Sequence, residues 1–125
     1  FKAHILVVDD DSATRTILRK MLVKDGWKVE EAKHGKDAIE CIKKDKPELI
    51  LLDLLMPIMD GFEFLDNYIK DVPEEKRAPV LVFSGKDLTD VQEDLLKERV
   101  VGLVKKDEVS MDNLSKMIQG IVQGN

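Results

Sequence analysis

Residues 5–10 read Ile5-Leu6-Val7-Val8-Asp9-Asp10, and residues 49–53 read Leu49-Ile50-Leu51-Leu52-Asp53. Each is a short aliphatic run that ends in acid. Unbroken apolar runs of this length suit parallel strands covered by helices on both faces. Placed in one sheet, the two runs bring Asp9, Asp10 and Asp53 to the same edge. Three carboxylates at one edge repel one another unless a cation neutralises them. Such a group suits a hard divalent cation and prepares one carboxylate to take up a phosphoryl group.

Outward from these runs, strand-like and helix-like segments alternate five times. The strands β1–β5 are expected at Ala3–Val8, Lys28–Ala32, Leu49–Asp53, Val80–Ser84 and about Val101–Val104. The second, KVEEA, alternates and is polar, as an edge strand does. Helix α1 begins at a cap on Asp11 or Ser12 and stops at Gly26, with Ile17, Met21 and Leu22 inward and Lys and Arg on the other side. Helix α2 runs from about Lys36 to Lys44 with Ala38, Ile39 and Ile42 inward. Helix α3 begins after Asp60–Gly61, presents Phe62, Leu65 and Ile69, and breaks before Pro73. Helix α4 lies near Thr89–Glu98 with Val91, Leu95 and Leu96, and α5 near Met111–Val122 with Leu114, Met117, Ile118, Ile121 and Val122. Five βα units predict an open parallel α/β sheet with right-handed crossovers. Ligands bind such sheets outside the carboxyl ends of the strands, where Asp9, Asp10, Asp53, Ser84 and Lys106 all fall.

Bulk properties narrow the function. The 125 residues suit one domain, expected over residues 1–125. Twenty basic residues are offset by 25 acidic ones, a net charge of -5 that argues against a nucleic-acid binder. The apolar runs are too short for a membrane span. Cys41 has no second cysteine to pair with, which suits a reducing, cytoplasmic setting.

Within the site, Asp10 is expected as a direct ligand of Mg2+ and Asp9 as a ligand directly or through water. Asp53 offers one oxygen to the metal and the other as nucleophile, and the Leu55 carbonyl completes the shell. Lys106 supplies a point charge for a carboxylate or phosphate oxygen, and Ser84 a hydroxyl. Pro57 and Gly61 shape the loop after Asp53, Gly61 by tolerating a conformation that other residues resist. DDDSATR stands where a flavodoxin-like cofactor binder would need a glycine-rich phosphate loop, which makes that class remote. An aspartyl phosphatase would need further acids and a further domain. His4, His34 and Cys41 have no ligand partners at useful spacing, and Trp27 and Tyr68 read as cover for helix edges.

ILVVDDDSATRTIL, LILLDLLMPIMDGFEFL, PVLVFSG and GLVKK together resemble the receiver (CheY-like) domain of two-component response regulators over essentially the whole chain. The resemblance implies a doubly wound, flavodoxin-like (βα)5 sheet with strand order 2-1-3-4-5. It implies a phosphoacceptor rather than a conventional enzyme: Asp53 takes a phosphoryl group from a histidine kinase or phosphotransfer protein. Asp9, Asp10, Asp53 and the Leu55 carbonyl then hold Mg2+, Ser84 is the switch hydroxyl and Lys106 pairs with the phosphoryl group. The family spacing from Gly102 favours Lys106, with Lys105 as the alternative, and neighbouring side chains at a strand end point oppositely, so one of the two reaches the acids. The α4–β5–α5 face is expected to meet a kinase, an output domain or a second receiver. Leu55 and Lys86 stand at the positions that tune self-dephosphorylation, which is expected to be slow. Two departures stand out. Leu103 replaces the usual switch ring, and Asp107 replaces the frequent Pro after the lysine. They leave room for an alternative, a receiver-like interaction module that relays no phosphate.

Overall fold

The structure, a computed structural model, describes residues 3–56 and 58–123. Five strands form one parallel sheet in the order β2-β1-β3-β4-β5. They are β1 (His4–Val8), β2 (Lys28–Ala32), β3 (Leu49–Leu52), β4 (Val80–Ser84) and β5 (Gly102–Lys105). Between and after them run α1 (Ser12–Lys24), α2 (Gly35–Lys44), α3 (Gly61–Asp71), α4 (Asp90–Lys97) and α5 (Met111–Val122), with a short 3-10 turn at Glu74–Lys76. This is the expected doubly wound α/β fold. The polar β2 does occupy an edge, while β3 stops one residue before Asp53 and β5 begins one residue later than its apolar pattern suggested.

The two-residue period of each central strand divides the core. Leu6, Val8, Ile50, Leu52, Val80 and Val82 face α2 and α3; Ile5, Val7, Leu49, Leu51, Leu81 and Phe83 face α1 and α5. All twelve are buried. They fix strand register, because a one-residue slip would exchange the two faces.

Local chemistry sets the helix starts. Asp11, Asp60, Thr89 and Ser110 each accept a main-chain N–H from the first turn of α1, α3, α4 and α5. Gly26, at φ 94°, ends the turn after α1 in a conformation that favours glycine.

Several inward faces differ from the expected ones. In α1 the buried residues are Leu18 and Leu22, while Ile17 is exposed. In α3 they are Gly61, Phe64, Leu65 and Tyr68, with Phe62 and Ile69 half-buried. Tyr68 is core rather than cover: its ring stacks on Phe64 at 5.6 Å, and its hydroxyl accepts the Ala78 N–H at 2.6 Å. Trp27 is likewise buried, with the α1 and α5 side chains. In α4 the buried residue is Leu96, while Val91 and Leu95 are exposed, and Met117 of α5 is exposed too. A short helix over a sheet edge has fewer neighbours to bury its apolar residues than periodicity implies.

Candidate functional site

Three polar side chains are buried among the described residues: Asp9, Asp53 and Ser84. All three lie at or just beyond carboxyl ends of strands. Extensions of the sheet hold them there: Asp9 N donates to Ala32 O at 3.1 Å, Asp53 N to Val8 O at 2.9 Å, and Lys106 N to Ser84 O at 3.0 Å. Four neighbouring strands thus deliver acids, a hydroxyl and an ammonium to one edge.

Asp9, Asp10 and Asp53 each offer a carboxylate oxygen, and the three oxygens lie within 4.8 Å of one another. Asp9 Oδ1 accepts the Asp11 N–H at 2.9 Å, and its Oδ2 accepts Lys106 Nζ at 2.8 Å. The same Nζ lies 3.5 Å from Asp53 Oδ2 and 5.9 Å from the centre of the Phe83 ring. Asp53 Oδ1 accepts from Ser84 Oγ at 2.7 Å and from Leu55 N at 3.3 Å. Ser84 Oγ in turn accepts Lys86 N at 3.3 Å and Leu54 N at 3.4 Å.

Burial pushes the Asp9 carboxyl above its ordinary value; the bonds from Lys106 and Asp11 oppose the rise and the charge of Asp53 adds to it. Burial acts to lower Lys106, but its bond to Asp9 and the charges of both carboxylates outweigh that, so it is raised. The ammonium of Lys106 thus offsets only part of the cost of burying Asp9 beside a second carboxylate. A hard dication fits this donor set, because three oxygens from ionisable carboxylates converge where one ammonium leaves negative charge uncompensated. The described residues thus include an acidic site capable of coordinating a divalent metal.

Lys105 and Lys106 part company at the end of β5. Lys106 enters the cluster, whereas Lys105 pairs with Asp87 and lies 4.0 Å from Glu108. Leu103, half-buried, borders a cavity of about 200 Å³ together with Leu54, Val82, Ser84 and Leu88. The Leu55 side chain is exposed. Pro57 lies outside the described residues.

Two features of the β3–α3 loop depart from expectation. Gly61 does not adopt the left-handed backbone; Ile58 does, at φ 69°, unusual for a β-branched residue. Glycine at 61 has a steric reason instead. A Cβ there would lie 2.7 Å from Leu54 Cα and 2.9 Å from the Asp53 carbonyl. Sequence patterning also set Arg15 on the solvent side of α1. Its side chain is only 13 % exposed, and Nη1 donates to the Asp9 carbonyl at 2.8 Å. Helical periodicity carries no signal for that bond, since it depends on where the preceding loop turns.

Comparison with known proteins agrees with this geometry. The family model of the response regulator receiver domain matches residues 5–119. The response regulator MprA of Mycolicibacterium vanbaalenii is 37 % identical over 100 residues, covering 80 % of this chain and 39 % of the relative. The chain thus spans about two-fifths of the length of that relative. Among solved structures, the receiver domain protein (CheY-like) of Methanospirillum hungatei superposes with a TM-score of 0.84 at 25 % identity, over 100 % of both chains. The signal receiver domain of a response regulator from Bermanella marisrubri gives 0.83 at 28 % identity, over 98 % of this chain and 99 % of the other.

Proposed function

This chain belongs to the response regulator receiver domain family, phosphoacceptors of two-component signalling, and we propose that Asp53 is its acceptor residue. The observation that carries the assignment is the position of Asp53: buried, beside a second carboxylate, and bracketed by Ser84 on one oxygen and Lys106 on the other. Among the three acids it alone touches both groups.

The donor is a phosphohistidine of a histidine kinase or phosphotransfer protein. An Asp53 oxygen attacks phosphorus in line, the N–P bond breaks with its electron pair returning to the imidazole, and an aspartyl phosphate forms. Lys106 offsets charge on the transferred group, and Ser84 can turn its hydroxyl from Asp53 to a phosphoryl oxygen. Asp9, Asp10, Asp53 and the Leu55 carbonyl would hold Mg2+, which supplies charge neutralisation and orients the phosphoryl oxygens when bound. Self-dephosphorylation is slow in this reading, because the exposed Leu55 side chain has no polar group to orient an attacking water.

The α4–β5–α5 face is the proposed surface for an output domain or a second receiver. Val91, Leu95 and Val101 support this, each more than half exposed on or beside α4 and β5.

Intact mass after incubation with acetyl phosphate and Mg2+, beside the Asp53→Asn chain, tests the assignment. One added phosphoryl group is expected, dependent on metal and missing from the variant. No gain in a chain shown to bind Mg2+ would overturn it in favour of an interaction module that relays no phosphate.

A further inference from the structure

Asp10 is the exposed member of the acidic cluster, and among the described residues its side chain has no hydrogen-bond partner. What the fold fixes is therefore the main chain from which it starts, and so which oxygens its carboxylate can reach. That main chain is held from two sides. Asp9 N donates to the Ala32 carbonyl at the end of β2, and Asp9 O accepts Arg15 Nη1 at 2.8 Å.

Arg15 is itself moored to β2. Its Nε donates to Glu31 Oε1 at 3.1 Å, and Arg19 Nε donates to Glu31 Oε2 at 2.6 Å. Arg19 also reaches the Val29 carbonyl at 3.2 Å. Burial acts to raise the Glu31 carboxyl, but the two guanidiniums outweigh it and hold it below its ordinary value, so the anchor stays ionised. The planar guanidinium spans carbonyl and carboxylate at once, which an ammonium on one flexible stem does not reproduce.

We propose that Arg15, moored by Glu31, is a positioning residue for the divalent-cation site: it fixes the peptide between Asp9 and Asp10 and so aims the Asp10 carboxylate at the cluster. The inference rests on reading Asp9, Asp10 and Asp53 as that site. Groups that orient metal ligands from behind commonly change affinity as much as tenfold or more when removed.

The test is a Mg2+ titration of the unphosphorylated chain, followed by amide chemical shifts and calorimetry, in the natural sequence and in Arg15→Met, Arg15→Lys and Arg77→Met. Arg77 is the matched control. Its guanidinium holds two main-chain carbonyls, Val72 and Ile69, at 2.8 Å each, where α3 ends. Arg15→Met should weaken Mg2+ binding roughly tenfold and Arg15→Lys by less. Arg77→Met should leave affinity within about twofold even where its Tm falls as far. Equal affinities for Arg15→Met and Arg77→Met would overturn the proposal. Absence of Mg2+ binding in the natural sequence would remove the cation-site reading, and the inference with it. Should Arg15→Met fail to fold, Glu31→Gln loosens the mooring while leaving an amide oxygen for one guanidinium; weaker Mg2+ binding supports the role, and unchanged binding rejects it.

Discussion

Lys106 Nζ sits 2.8 Å from Asp9 Oδ2, so a buried acid and a lysine 97 positions later in the chain form one charged pair at the end of the sheet. The lysine also faces Asp53 at 3.5 Å. One ammonium between two carboxylates leaves a net negative charge, and this imbalance makes the pocket receptive to a dication and then to a phosphoryl group.

Asp9 burdens the metal-free protein. Its folded pKa is raised above the ordinary 3.8, so the folded chain binds this proton more tightly than the unfolded chain. Its contribution to stability is full below that ordinary value and is lost as pH rises through the folded pKa. Asp9→Asn should therefore raise Tm at neutral pH, on the order of 3–6 °C if the relief is about 1 kcal/mol. Thermal melts across pH should show the gap opening upward from about pH 4, near the unfolded value, and shrinking when Mg2+ is added to the natural sequence. A gap that widens toward acid would contradict the sign.

The two adjacent lysines should behave oppositely. Lys106→Met removes the charge that faces Asp53 and should slow phosphorylation by acetyl phosphate roughly a hundredfold, the scale of losing one preorganised electrostatic group. Lys105→Met breaks exposed pairs with Asp87 and Glu108 and should leave the rate within about twofold. Intact-mass time courses separate the two, and comparable losses would show that the strand end does not sort them.

Gly61→Ala should cost about 2 kcal/mol, the usual scale of forcing atoms into packed space. The atoms in the way are the Leu54 main chain and the Asp53 carbonyl, which cannot rotate aside as a side-chain tip can. Asp53 must shift with them, so Mg2+ affinity should fall alongside Tm in a paired melt and titration. A stable variant with unchanged affinity would mean that the helix start moves instead.

Leu103 borders a cavity of about 200 Å³ beside Ser84, so a larger side chain has space to enter. Leu103→Phe should melt at the same temperature or higher, by at most about 1 kcal/mol of added stability. A loss of 1–3 kcal/mol, the usual range for overpacking, would show that the cavity cannot take a ring.

The alternation of strands and helices, the parallel sheet and the arrival of Asp9, Asp10 and Asp53 at one edge were all legible in the chain. Those features follow from local periodicity: aliphatic runs specify buried strands, and residues at the ends of parallel strands share an edge wherever the strands fall in the order. Which helix faces meet the sheet came instead from packing. Ile17, Val91 and Leu95 sit at helical spacing yet remain exposed, because burial depends on the neighbour across the interface. Packing also decided that Arg15 turns inward to the Asp9 carbonyl and that Gly61 is required by proximity to Leu54 rather than by its own dihedrals. Each depends on atoms distant in the chain or across a loop, whose separation no spacing encodes.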